Sequence, residues 1–270
     1  MRRDGDMGPV IFLVAMVMLG VAAAVVILRH PAVPVAAGPR HQYFDSPYQA
    51  QLFHKGQLHV HSDRAIGHQL PRDMSRAYER AGYEWVSITD LNTLTPESQF
   101  VTPNIVPVAG VEAGFPFGHL IELGAQILPP AINLQQAVND ARNQAAVAII
   151  AHPRDPPAVG FDQAAALKGL DAIEIYDARL KLQNPVVADA SDLWDQLLSS
   201  GHRVWGVAGD DTLWVDGPDS TLGQTAVWVQ AADVNPALVG DAIRRGAFFA
   251  GTGVRVLSVD TPTSDTIRVI

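Results

Sequence analysis

The sequence predicts an α/β fold whose strands end in histidines and carboxylates, and three observations carry that expectation. From about residue 51 onward, short apolar runs alternate with segments of helical spacing. Leu58-His59-Val60-His61-Ser62 closes the first of those runs just after Lys55-Gly56. Its two imidazoles stand at i and i+2, on one face of a strand. Thr89-Asp90, Gly110-Val111-Glu112, Gly118-His119-Leu120, Ala151-His152-Pro153 and Gly209-Asp210-Asp211 then recur at the ends of later apolar runs or just beyond them. In α/β barrels the C-terminal strand ends carry the active site, so the recurrence says more than any single residue.

In chain order, residues 1–8 form a short flank. Residues 9–28, PVIFLVAMVMLGVAAAVVIL, form a run without a charge. That is about the length a helix needs to cross roughly 30 Å of hydrocarbon, and it exceeds the core of a cleaved signal peptide. Arg2 and Arg3 precede it and Arg29 follows, which gives the positive-inside rule only a slight lean. The expectation is one N-terminal transmembrane helix, an uncleaved single-pass anchor with its N-terminus in the cytoplasm and the main domain extracytoplasmic. Cleavage near Ala36-Ala37 is the alternative. Residues 29–50, with Pro31, Pro34, Gly38, Pro39 and Pro47, read as a tether.

The barrel domain is expected over 51–255. Its strands fall at 57–61, 85–89, 105–111, 119–123, 147–151, 172–176 and 204–208. Helical stretches fall at 71–81, 134–144, 188–200 and 236–245. Pro71 and Pro236 suit first helical turns, and Gly82, Gly201 and Gly246 suit helix exits. The tail 256–270 is strand-like in Val256, Leu257, Val259, Ile267, Val269 and Ile270, and it either packs back on the barrel or pairs with another chain.

Composition narrows the chemistry. In 270 residues, 48% are apolar and 17% charged, which reads as globular. The net charge of −9 argues against extensive nucleic-acid binding, which needs clustered Lys and Arg. A small phosphorylated substrate remains open, because a metal supplies positive charge locally. With no cysteine, disulfides and thiolate zinc sites are excluded. The chain has no GxSxG elbow, GxxxxGK[ST] loop or GxGxxG fingerprint.

His59, His61, Glu112 and Asp211 form a nitrogen–oxygen shell suited to a divalent ion. His119 and His152 suit a second ion, with Glu112 bridging both. Two such ions, zinc, manganese or iron, would share a hydroxide and clamp a phosphoryl group. Taken singly, each residue has a plainer reading. Glu112 and Asp211 read as helix caps or salt-bridge partners, His119 as a satisfied core histidine and His152 as a turn residue. His54, His68 and His202 read as surface or supporting residues.

The order LHVHS, ITDLN, GVEA, GHL, AHP, IEIY and GDDTL resembles the polymerase and histidinol phosphatase (PHP) family over roughly residues 51–255. The resemblance implies a distorted (β/α)7 barrel related to the TIM barrel, metal-dependent phosphoesterase activity and a trinuclear site. His59, His61, Glu112 and Asp211 match the family's first metal site, and Glu112, His119 and His152 its second. The third is missing. The family's TDHN stands here as Thr89-Asp90-Leu91-Asn92, its Asp-x-His as Asp211-Thr212-Leu213, and a further ligand position falls at Ile66 or Gly67.

The expectation is therefore a phosphate mono- or diester hydrolase using a metal-bound hydroxide at a dinuclear site. Arg64 or Arg154 would replace the third ion's charge. Asp90 would orient a ligand histidine or fill an open coordination position. The alternative is an inactive barrel serving as a membrane-tethered module that binds a ligand or partner.

Overall fold

Alternation of side chains along each strand divides the apolar residues between three cores, and that division sets the site's position. The computed structural model describes residues 52–254, 256, 259–263 and 266–270. The anchor expected at 9–28 and the tether at 29–50 lie outside the described residues. Among the described residues no helix is long and apolar enough to cross a membrane.

Ten strands form two five-stranded mixed sheets. One contains β1 (Phe53–Gln57), β2 (Trp85–Ser87), β3 (Val106–Val108), β9 (Ala226–Gln230) and β10 (Phe248–Gly251), in the order β10-β9-β1-β2-β3. The other runs in order through β4 (Gly110–Phe115), β5 (Gly118–Leu123), β6 (Val147–Ala151), β7 (Ala172–Asp177) and β8 (Trp205–Gly209). Within them β1-β2-β3 and β6-β7-β8 pair in parallel, while β5 and β9 run antiparallel to their neighbours. The strands of the distorted barrel expected from the sequence thus fall into two mixed sheets. Isolated parallel bridges join them, Val60 to Thr212 and Leu91 to Glu112, both just beyond strand ends or at the start of β4.

Helices α1 (Pro71–Arg80), α2 (Leu134–Asn143), α3 (Phe161–Ala166), α4 (Ala178–Gln183), α5 (Ser191–Ser199) and α6 (Pro236–Arg245) connect the strands. Pro71 and Pro236 take the first helical positions, where a missing N–H costs nothing. Asn133 and Asn235 cap α2 and α6 with side-chain oxygens that accept from Gln136 N and Leu238 N. Gly246 ends α6 in the left-handed conformation, φ 72°.

The face shared by the two sheets buries Leu58, Trp85, Ile121, Val147, Ile149 and Val207. The alternate residues of the second sheet, such as Leu120, Ala148, Ile150 and Ile173, pack against α2, α3 and α5. Val60, Val86 and Ile88 pack against Met74 and Tyr78 of α1. This is period-two patterning with both faces covered, as parallel strands require.

Several boundaries differ from the sequence expectation. The first strand lies at 53–57, not 57–61, because the Gln57 side chain takes over the ladder: its Oε1 accepts from Leu58 N at 2.9 Å and His59 N at 3.2 Å. The strand expected over 105–111 splits into β3 and β4. The helix expected over 188–200 starts at Ser191, whose N–H donates to Asp189 Oδ1 instead of continuing the helix upstream. Strands β9 and β10 and helices α3 and α4 have no counterpart in the pattern the sequence predicts. In the tail, β11 (Val259–Thr263) and β12 (Thr266–Val269) pair antiparallel with each other.

Gly56 shows how tightly the sheet is packed. A methyl group there would stand 1.8 Å from Trp85 Cε2, and Trp85 is fully buried. Gly56→Ala should therefore cost about 1–3 kcal/mol through overpacking, read as a lower urea midpoint. An unchanged midpoint would show that the indole is free to move aside.

Candidate metal centre

The site forms where the two sheets are laced together. Beyond Gln57 the chain stays extended without a regular ladder, held by His61 N–H donating to Thr212 O at 2.9 Å and Thr89 N–H donating to Val60 O at 2.8 Å. Val60 points to α1, so His59 and His61 on either side turn inward. Glu112 projects from β4 opposite Ile121, and His119 from the adjoining strand β5. Asp211 follows β8.

His152 needs a distortion. Strict alternation after Ala148 and Ile150 would send it to the helical face. Instead its φ is +22°, and its Nε2 reaches Glu112 Oε1 at 2.8 Å. Asp211 also has positive φ, +46°. Such backbone is uncommon outside glycine and costs on the order of 1–3 kcal/mol per residue unless its surroundings hold it.

All six sequence-predicted ligands converge, with Glu112 at the centre. Its Oε1 accepts from His119 Nδ1 at 2.7 Å as well as from His152. Its Oε2 faces His61 Nε2 at 3.2 Å and His59 Nε2 at 3.7 Å. Asp211 Oδ1 lies 3.0 Å from His61 Nε2 and 3.6 Å from His59 Nε2. Ligand atoms of His59, His61 and Glu112, of His59, His152 and Asp211, and of Glu112, His119 and His152 each lie within 4.8 Å of one another. His59 and His61 are fully buried, and His59 Nε2, His61 Nε2 and Asp211 Oδ1 make no hydrogen bond there. Donor atoms stripped of water and aimed at one point are what a cation would satisfy, so the residues present fit a divalent ion.

Two residues that sequence reasoning did not single out hold the centre in shape. Glu174 on β7 accepts from His59 Nδ1 at 3.1 Å and from the His152 N–H at 2.7 Å. A proton held on Nδ1 leaves the Nε2 lone pair of His59 facing the cluster. Gly209 makes room for this carboxylate, since a methyl group there would stand 1.9 Å from Glu174 Oε1. Glu174 was legible only as the acidic residue in IEIY. Arg179, on α4, donates from Nε to Asp211 Oδ2 at 2.5 Å and lies mostly buried. Nothing in the local sequence marks it, because its reach depends on how α4 leaves β7.

The cations and the acid expected in support are elsewhere. Arg64 donates to Gln99 Oε1 on the surface. Arg154 pairs through Nη2 with Asp192. Asp90 is fully buried, and its partners are the Ser62 N–H and hydroxyl, both at 2.6 Å, and the Thr95 hydroxyl. It fastens the loop after His61 and hydrogen-bonds no ligand histidine. At the places of the missing third-site ligands, Leu91, Leu213 and Ile66 are apolar, and a side chain at Gly67 would meet His61 O at 2.2 Å.

The electrostatics follow from this crowding. Burial alone would push the Glu112 carboxyl up, but the hydrogen bonds from His119 and His152 and the close imidazoles of His59 and His61 hold it well below the usual carboxylate range. Burial would likewise lower His152, yet its hydrogen bond to Glu112 and the Glu112 and Asp211 charges raise it to about 9. A raised imidazole contributes stability that is complete below its ordinary pKa and lost as pH rises through the folded one. The ion-free protein should therefore lose Tm between about pH 6.5 and about pH 9. Excess divalent ion should abolish that loss, because binding needs the deprotonated ring. A flat ion-free profile would contradict the His152–Glu112 coupling. Glu174→Gln should weaken metal affinity by about 10–100-fold, measured by chelator competition; unchanged affinity would remove Glu174 from the centre.

No family model and no curated protein matches this sequence. Solved structures do match. A two-domain protein from Bacteroides vulgatus, containing a predicted PHP-like metal-dependent phosphoesterase, is 16% identical with a TM-score of 0.58 over 74% of this chain and 64% of that one. Endonuclease Q in complex with a 27-mer duplex bearing an abasic lesion is 14% identical, TM-score 0.52, over 71% and 56%. The lesion-specific endonuclease PfuEndoQ from Pyrococcus furiosus is 13% identical, TM-score 0.52, over the same shares. The chain thus spans less than two thirds of the length of each. What these structures have in common with it is the path of the backbone: this chain has the fold of the PHP-like metal-dependent phosphoesterases.

Proposed function

We propose that this chain is a metal-dependent phosphoric ester hydrolase working at the His59, His61, Glu112, His119, His152 and Asp211 cluster. The reading is carried by the buried, unpartnered His59 Nε2, His61 Nε2 and Asp211 Oδ1 that converge beside Glu112. A buried polar group left unpaired costs about 1–3 kcal/mol, and here several face one another.

Glu112 divides the set. Its Oε2 faces His59 and His61, which with Asp211 would hold one ion; its Oε1 faces His119 and His152, which would hold a second. Bound divalent ions, zinc, manganese or iron, would supply a Lewis acid for the phosphoryl oxygens and a water acidified toward neutral pH. The chain's own contribution is positional. Glu174 fixes the proton on His59 Nδ1, Arg179 holds Asp211 Oδ2 so that Oδ1 faces the histidines, and Asp90 pins the loop carrying Ser62. His119, about a quarter exposed, is the member of the set nearest solvent and marks the side on which an ester enters.

A net charge of −9 favours a small phosphate ester over a duplex like that bound by Endonuclease Q. In this reading the run at 9–28 tethers the domain to a membrane on the extracytoplasmic side. Apolar residues at the third-site positions are the observation that favours a binding module without turnover, and the same experiment separates the two. Elemental analysis of the full chain should find about two ions, and Glu112→Gln should lose both the ions and hydrolysis of phosphate esters. Two ions with no hydrolysis of mono- or diesters would leave a binding module. No metal after incubation with zinc or manganese would end the enzyme reading.

A further inference from the structure

Two carboxylates follow one another just past β8, and they take different partners. Asp211 Oδ1 faces His61 Nε2 at 3.0 Å. Asp210 is fully buried and accepts four hydrogen bonds from outside the cluster. Its Oδ1 receives the Thr225 N–H at 2.6 Å and the Thr225 hydroxyl at 2.9 Å. Its Oδ2 receives the Gly223 N–H at 2.7 Å and the Tyr78 hydroxyl at 2.8 Å. That fills about the four lone-pair sites a carboxylate offers, so Asp210 is an anchor and not a spare ligand.

The hydroxyls give the network a direction. Thr225 donates its one hydroxyl proton to Asp210, so its oxygen is left to accept from Gln57 Nε2 at 3.0 Å. The Gln57 amide is thereby turned so that Oε1 receives the N–H of Leu58 at 2.9 Å and of His59 at 3.2 Å. Tyr78 likewise donates to Asp210, and its oxygen accepts from Thr212 Oγ1 at 2.7 Å. Thr212 O then receives the His61 N–H at 2.9 Å. Gln57, Tyr78, Thr212 and Thr225 are each at most 1% exposed. Two dry arms therefore run from one carboxylate to the backbone of both histidines, and the same carboxylate adjoins Asp211. Neither arm extends to His119 or His152, whose rings bond Glu112 and of which His119 is about a quarter exposed.

Resting on the hydrolase reading above, we infer that Asp210, Thr225, Gln57 and Tyr78 are positioning residues for the ion of the His59, His61 and Asp211 set. They raise its affinity and fix its ligand geometry, and they do nothing for the ion of the His119 and His152 set. A ligand held at its backbone loses less conformational freedom when an ion binds. The two ions are then unequal: the first is retained, and the second, beside the partly exposed His119, exchanges.

The test loads the full chain with cobalt(II) and withdraws the ions with a chelator, following the visible absorption, which reports ligand geometry. The unaltered chain should release its ions in two steps. Thr225→Val cuts the first arm while keeping that residue's backbone contacts, and Tyr78→Phe cuts the second. Each should weaken the tighter step about 10-fold, change its spectrum, and leave the weaker step within about twofold. Either variant carries the test if the other does not fold. Thr225→Ser keeps the hydroxyl and should restore affinity and spectrum. In a His119→Asn background, which lacks a ligand of the second ion, the loss should fall on the ion that remains. A lower Tm with both affinities and the spectrum unchanged would make the network a feature of the fold alone. That result, or equal weakening of both steps, overturns the inference and leaves the hydrolase reading standing. Failure of the unaltered chain to bind cobalt(II), zinc or manganese overturns the two together.

Discussion

Everything at the mouth of this fold depends on one buried carboxylate. Glu112 is almost wholly removed from water, yet four imidazoles face its two oxygens. A carboxylate in that position is tolerable only while positive charge surrounds it, whether from protonated rings or from cations. The histidines in turn are buried because Glu112 and Asp211 are there to receive them. Neither half of the cluster is reasonable alone, which makes it a single electrostatic unit rather than six independent residues.

The same unit coincides with the seam of the fold. The bridge between Val60 and Thr212 lies between His59, His61 and Asp211, and the bridge between Leu91 and Glu112 includes the central carboxylate itself. Ladder hydrogen bonds hold each sheet, but these bridges align the strand ends on which the ligands stand. Positive φ at His152 and Asp211 belongs to the same account. Local strain turns the His152 side chain away from where alternation would place it, and the strain at both residues persists because Glu174, Arg179 and Glu112 hold them.

Around that unit the polar residues sort by reach. Asp210 is next to Asp211 in sequence but turns away to accept from Tyr78 OH, Gly223 N and Thr225 N, fastening the loop before β9 to α1. Asp90 does similar work for the loop after His61. Arg179, unremarkable in sequence, lies against Asp211, while Arg154 is drawn to Asp192 and Arg64 to Gln99. Proximity in sequence to a ligand was a poor guide to which guanidinium reaches the centre, because an arginine's long stem lets tertiary neighbours decide its partner.

By itself the sequence determined the alternation of apolar runs and helices, the helix starts at Pro71 and Pro236, the left-handed glycine after α6, and the identity of the six residues that meet. These were legible because period, proline and glycine act locally, and because strand ends on one side of a parallel arrangement must lie together. The tertiary structure decided what depends on distant partners. It divided the strands of the expected barrel between two sheets, ended β1 at Gln57, and gave His59 its partner in Glu174 and Asp211 its partner in Arg179. It also closed the Gly67 position, since only its packing on His61 O shows that no side chain could stand there. The pairings of His59 with Glu174 and of Asp211 with Arg179 join residues tens to more than a hundred positions apart, where local propensity has no influence.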